Sequence, residues 1–280
     1  MNIPAPPPDA RPDVPGYRIE RQLGSGANAA VFLALDRQQQ VAVKIVRPRI
    51  ADKHLHDRLR DEVAVLRRLQ HPAIIRLVDS VELADGQPAA ILEYVGETDL
   101  RSWLKRERPG LKRRLRLFAQ IADALSHAHA RGVQHGDLAA SNILVDGDDR
   151  VTVIDFSLSR ALRPGHDIPR ADIFALGGML DLLEQDAGKP ELRAIIERAR
   201  SGGEGLEFTR IEALAQEVLR FRKGKPVDSY STRFFYRLRK HLWRLKWWLL
   251  GLAALVFASE GLALLEALSP APETPVSARR

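Results

Sequence analysis

The segment His135-Gly136-Asp137-Leu138-Ala139-Ala140-Ser141-Asn142, followed by Ile143-Leu144-Val145 and then by Val153-Ile154-Asp155-Phe156-Ser157, most restricts what this chain can fold into. Short β-branched runs at 143–145 and 151–154 read as strands, and three oxygen-bearing side chains, Asp137, Asn142 and Asp155, stand beside them. Their spacing is the one a phosphoryl-transfer site requires: a carboxylate to accept the proton of an attacking hydroxyl, and two further oxygens to hold magnesium against a triphosphate. Taken singly, each residue serves equally well as a turn-former or cap. The ordered set is much harder to reach by chance.

Residues upstream supply the rest of such a site. In Leu23-Gly24-Ser25-Gly26-Ala27-Asn28-Ala29-Ala30-Val31, between two strand-like segments, Gly24 and Gly26 let the backbone approach a phosphate that a Cβ would obstruct. A hairpin turn explains two glycines as well. The apolar strand Val41-Ala42-Val43-Lys44 carries an inward lysine that needs a partner. Glu62 is placed to be that partner, on a helix at 55–69 where Leu55, Leu59, Val63, Leu66 and Leu69 recur at helical spacing. A lysine held in this way can reach the α and β phosphates of ATP.

Around these motifs the chain divides by pattern. From Tyr17 to about Val95 it is strand-rich with one helix, a small α+β lobe; from Thr98 to Phe221 helical patterns dominate, and no internal repeat is visible. With 280 residues, 45% apolar and 28% charged, it has the composition of an ordinary globular protein. Pro4, Pro6, Pro7, Pro8, Pro12 and Pro15 make residues 1–16 an extended, solvated arm without the pattern of a secretion signal. No cysteine is present, so disulfides and thiolate zinc sites are excluded.

The formal charge of +7 is decided by its location. Ten Lys or Arg lie between Arg220 and Lys246 against Asp228 alone, so the remainder is slightly acidic. A nucleic-acid binder carries its positive charge across a folded face, whereas here it stands beside the most apolar segment, which points to an acidic membrane surface. That segment, 247–268, has 22 residues and as a helix would rise about 33 Å, close to the hydrocarbon thickness of a bilayer. Glu260 within it costs about 2–3 kcal/mol, but Leu249, Leu252, Leu255, Phe257, Leu262 and Leu265 surround the helix and outweigh it. The basic flank places residues 17–224 in the cytoplasm, 225–246 at the inner surface and 269–280 outside: a single-pass protein of the cell membrane. Gly251, Ala254, Ala258 and Gly261 form a small-residue stripe that leaves a homodimer open, although such residues are common in any spanning helix.

In chain order from Gly24 to about Arg210 the sequence resembles the protein kinases, nearest in its glycine loop and lysine strand to the bacterial Ser/Thr protein kinases. The resemblance implies an α+β, bilobal fold that uses ATP and Mg2+. It implies an ATP site of Leu23, Gly24, Gly26, Val31, Ala42, Lys44, Glu93 and Val95, with 93–95 as the hinge between lobes. Lys44, Glu62 and Asp137 then take the catalytic positions, and Asn142 and Asp155 the metal positions. Leu66, Leu77, His135 and Phe156 stack behind the site, and Asp172 anchors the catalytic loop from a central helix. His54, His127 and His129 lie in helical patterns and need no role beyond surface or core.

Departures bear on the substrate. Gly136 stands where the family usually has the arginine that clamps a phosphorylated activation loop, and Ser157 where it has glycine. Ala139 replaces the lysine usual in Ser/Thr protein kinases, and only sixteen residues, without an Ala-Pro-Glu motif, separate Asp155 from Asp172. A protein hydroxyl is the first expectation for the acceptor. A small sugar-like hydroxyl, as in small-molecule kinases with short segments and a His-Gly-Asp loop, is the second. A nucleotide-binding pseudokinase scaffold is the third.

Overall fold

The computed structural model describes residues 12–26, 28–37, 39–46, 53–162, 167, 169–201 and 207–230. Five antiparallel strands form the first lobe: β1 (Arg18–Ser25), β2 (Ala29–Asp36), β3 (Gln39–Val46), β4 (Leu77–Glu82) and β5 (Pro88–Glu93). Their order across the sheet is β1-β2-β3-β5-β4, which puts β3 in the middle. Between β3 and β4 runs α1 (Lys53–Arg68), within two residues of its expected start and one of its end.

The two-residue period of β3 sorts its side chains onto two faces. Val41, Val43 and Ile45 pack outward with Ile19, Ala34 and Ile91. Ala42, Lys44 and Val46 face the other way, where Val46, Ala90 and Leu92 meet Leu59, Val63 and Leu66 of α1. That inner core continues without a break into the helical lobe. Helix α1 buries Leu59, Glu62, Val63 and Leu66, so its apolar stripe carries one carboxylate with it.

The second lobe is built on α3 (Leu111–Ala130), whose Leu117, Phe118, Ile121 and Leu125 are fully buried. Packed around it are α2 (Leu100–Glu107), α4 (Arg170–Glu184), α5 (Pro190–Arg200) and α6 (Ile211–Arg222). Asp99 caps α2 by accepting a hydrogen bond from Ser102 N–H at 2.9 Å. Gly177 lets α4 and α5 close on each other, since a Cβ there would lie 2.8 Å from that of Ala199. Two short antiparallel pairs finish the lobe: β6 (Val133–Gln134) with β9 (Arg160–Ala161), and β7 (Ile143–Val145) with β8 (Val151–Val153). The second hairpin ends one residue short of its expected bound.

The expected bilobal α+β architecture is present. Among the described residues no helix is long and apolar enough to cross a membrane. The 247–268 run, its basic flank from 231 onward and the arm at 1–11 all lie outside the described residues.

Candidate active site

The site lies where the inner face of the sheet meets the loops before β7 and after β8. Lys44 emerges from that face, and its Nζ donates to Glu62 Oε1 and Oε2 at 2.8 and 2.7 Å and to Asp155 Oδ1 at 2.8 Å. One ammonium thus serves two carboxylates from opposite lobes. Burial disfavours its charge, but Glu62 and then Asp155 outweigh that and hold the lysine pKa above its ordinary value. Burial also raises the pKa of Glu62 against the pull of Lys44. Asp155 is less enclosed: burial raises its pKa too, but Lys44 followed by Ser157 leaves it below the usual aspartate value. Asp155, with its side chain 36% exposed against 2% for Glu62, is the carboxylate that faces the cleft.

Backbone geometry holds Asp155 there. Its φ of 65° is left-handed, a conformation that needs support from its surroundings in any residue but glycine. The support comes from Phe156, which is fully buried with its ring 4.6 Å from that of His135. His135 accepts from Asp137 N–H on Nδ1 at 3.3 Å, which leaves Nε2 to donate to Ile154 O at 3.1 Å. The imidazole thereby joins the loop carrying Asp137 to the one carrying Asp155. Leu66 is buried and Leu77 partly buried in the same inner core, in agreement with the stacking that the resemblance implied.

The loop bearing Asp137 is fixed from beneath. Asp172 is fully buried and accepts from His135 N–H at 2.9 Å and Gly136 N–H at 2.8 Å. His129 Nε2 lies 2.7 Å from the same carboxylate. This corrects the view of His129 as mere core or surface: it is one of three groups that Asp172 gathers. Asn142 Nδ2 donates to Asp137 O at 2.9 Å, and its backbone oxygen accepts from Ile154 N–H at 2.9 Å. Its Oδ1 accepts from Ser141 Oγ at 3.5 Å and keeps a second lone pair.

Gly136 has a φ of +83°, and a Cβ on it would lie 2.6 Å from Leu158 O. The position excludes any side chain, which the sequence alone, read as a missing clamp, did not reveal. The stretch after Asp155 is held at its other end by β6 and β9 and by Leu162 N–H donating to Gly132 O at 2.8 Å.

Gly26, Val31, Lys44, Glu62, Asp137, Asp155 and Ser157 line one open cleft of about 340 Å³. Its roof is the β1–β2 hairpin, where Gly24 pairs with Val31 and Gly26 N–H donates to Ala29 O at 2.9 Å. Leu23 and Ala42 lie on β1 and β3, Glu93 ends β5, and Val95 follows it on the way to the second lobe. The Glu93 side chain accepts from the N–H of Arg76, the residue before β4, at 2.9 Å. A clasp not foreseen from sequence joins β1 to the stretch after β5: Arg21 on β1 donates to both carboxylate oxygens of Glu97, and Tyr94 OH donates to Glu97 at 2.8 Å.

A strand lobe, a helical lobe and this ordered polar cluster between them define a chain of the protein-kinase type. Residues 17–177 match the protein kinase domain, more than half of the chain, and the protein belongs to that family. CBL-interacting protein kinase 4 of Oryza sativa subsp. japonica is 37% identical over 151 residues, 51% of this chain and 33% of that protein. Serine/threonine-protein kinase pkn3 of Myxococcus xanthus is 34% identical over 161 residues, 55% of this chain and 29% of that one. The carbon catabolite-derepressing protein kinase of Saccharomyces cerevisiae is 31% identical over 153 residues, 54% and 24% of the two chains. The match thus spans about a third or less of the length of these relatives.

Proposed function

We propose that this protein transfers the γ-phosphoryl group of ATP to a Ser or Thr hydroxyl on another protein. The observation that carries the reading is Lys44 held jointly by Glu62 and Asp155, with Asp137 opening onto the same cleft. Lys44, positioned by Glu62, binds the α and β phosphates under the glycine hairpin. The acceptor oxygen bonds to the γ-phosphorus as the bond to the ADP oxygen breaks, and Asp137 takes the hydroxyl proton. Leu23, Val31 and Ala42 enclose the adenine beside the hinge backbone at Glu93 and Val95.

The donor set fits magnesium. Asp155 and Asn142 offer hard oxygens, and among the described residues no three His, Asp or Glu side chains gather into an all-protein cage. Two protein ligands completed by phosphate and water are the arrangement Mg2+ accepts. When bound, the ion neutralises the charge that develops on the phosphates.

The relatives named as protein kinases favour a protein acceptor. A small hydroxylated acceptor is the second reading, favoured by the sixteen residues between Asp155 and Asp172. Residues 225–246 and 247–268 form a basic flank and one membrane span, which keeps 17–224 in the cytoplasm; charge and apolar length support this assignment.

The test is transfer from labelled ATP by the full chain in detergent, beside Lys44→Ala, Asp137→Asn and Asp155→Asn. Each variant lowers transfer by about two or more orders of magnitude while the protein stays folded. Equal turnover in wild type and Asp137→Asn removes the base assignment. Nucleotide binding without transfer in the wild type makes the protein a scaffold.

A further inference from the structure

The cleft is lined by three carboxylates, Glu62, Asp137 and Asp155, and among the described residues by two cations, Lys44 and Arg58. Lys44 is fully engaged, as described. Arg58 lies one turn before Glu62 on α1, so both face the opening. It is exposed, and unlike its neighbour Arg60, which pairs with Asp57 and Glu82, it makes no hydrogen bond or ion pair among the described residues. A guanidinium presents five donors in a rigid fork matched to carboxylates and phosphates. Left without a partner at the rim of an acidic cleft, it is a recognition group awaiting an anion from outside the fold.

We infer that Arg58 is a specificity determinant that selects polypeptide acceptors carrying an acidic side chain close to the accepting Ser or Thr. The inference rests on the protein-kinase reading above and names its substrate class. Asp137, Ser157, Leu158 and Arg58 border one opening, so a chain that brings its hydroxyl to Asp137 brings its neighbours to Arg58. An extended chain advances about 3.3 Å per residue, so the acidic side chain is expected one to three residues, about 3–10 Å, from the accepting hydroxyl. Leu158, an apolar side chain 43% exposed at the same opening, gives the backbone between them a surface to lie on. Acidic acceptors are otherwise repelled here by Asp137 and Asp155, and Arg58 is the group that offsets that repulsion. The nucleotide does not require it, because Lys44 already serves the phosphates.

The experiment uses the full chain in detergent and two synthetic peptides with one Ser each, identical except for Glu or Lys in the flanking positions. Wild type should phosphorylate the acidic peptide with a kcat/KM about tenfold higher or more, as expected for one charge-assisted bidentate contact. Arg58→Ala should lose that preference through the peptide KM, with the ATP KM within about twofold of wild type. Arg58→Glu should invert it, and Arg58→Lys should keep part of it. Because Arg58 is exposed, these variants should melt with the wild type. The same preference in wild type and Arg58→Ala overturns the inference alone, as does an effect confined to the ATP KM, which would place the guanidinium on the nucleotide. Transfer to neither peptide overturns it together with the protein-kinase reading.

Discussion

A methyl group at position 136 would meet the carbonyl oxygen of Leu158 at 2.6 Å, on a backbone already at φ +83°. The left-handed conformation alone costs a residue with a Cβ about 1–2 kcal/mol, and relieving the contact displaces the segment after Asp155. Gly136→Ala should therefore lower the melting temperature by several degrees, at about 2–4 °C per kcal/mol for a domain of this size, and reduce transfer more than nucleotide binding. A variant that melts and turns over like wild type would show that the loop yields freely. Restoring the arginine usual in the family has the same cost, so Gly136 is a fixed part of this loop's packing. An arginine placed here to clamp a phosphate would meet the same contact. Asp137, Asn142 and Asp155 could be found from sequence because their chemistry and order are both local. His129 and the positive φ of Gly136 could not, since each depends on Asp172 or Leu158, which the fold alone brings near.

Among the elements, the clasp from β1 to the residues beyond β5 has the clearest consequence. Arg21 stands three residues before Gly24 on β1, so its pair with Glu97 ties the glycine hairpin to the stretch after β5. Both side chains are about half exposed, and such pairs contribute roughly 0.2–1 kcal/mol, less at high salt. Arg21→Ala or Glu97→Gln should speed nucleotide release by about 1.4- to 5-fold in stopped-flow fluorescence, and the difference should vanish in 1 M salt. A charge swap at both positions should recover the slow rate; failure to do so, with unchanged release in the single variants, would reduce the clasp to surface decoration. The strands and α1 were legible because periods of two and 3.6 residues are written in the local pattern. The clasp was not, because a pair 76 residues apart leaves no trace in spacing.

Taken whole, the molecule is polarised: its positive charge is gathered from Arg220 onward, beside the apolar run at 247–268. The span and its direction can be tested because the chain has no cysteine, so a residue introduced by Ser277→Cys or Ser231→Cys is the only thiol. An impermeant thiol reagent applied to intact cells should label the first and spare the second. The reverse pattern refutes the direction, and extraction of the protein by alkaline carbonate refutes the span. The small lobe contributes Val46, Leu66, Ala90 and Leu92 to the same apolar interior as α3 and α4. The small lobe keeps an outer core of its own around Val43, Ile45 and Ile91, but its inner face shares one interior with the helical lobe, so heat meets the two as joined halves. Opening of the cleft is then a hinge motion of intact halves, and a loss of packing on one side of the nucleotide is felt as lost stability on the other.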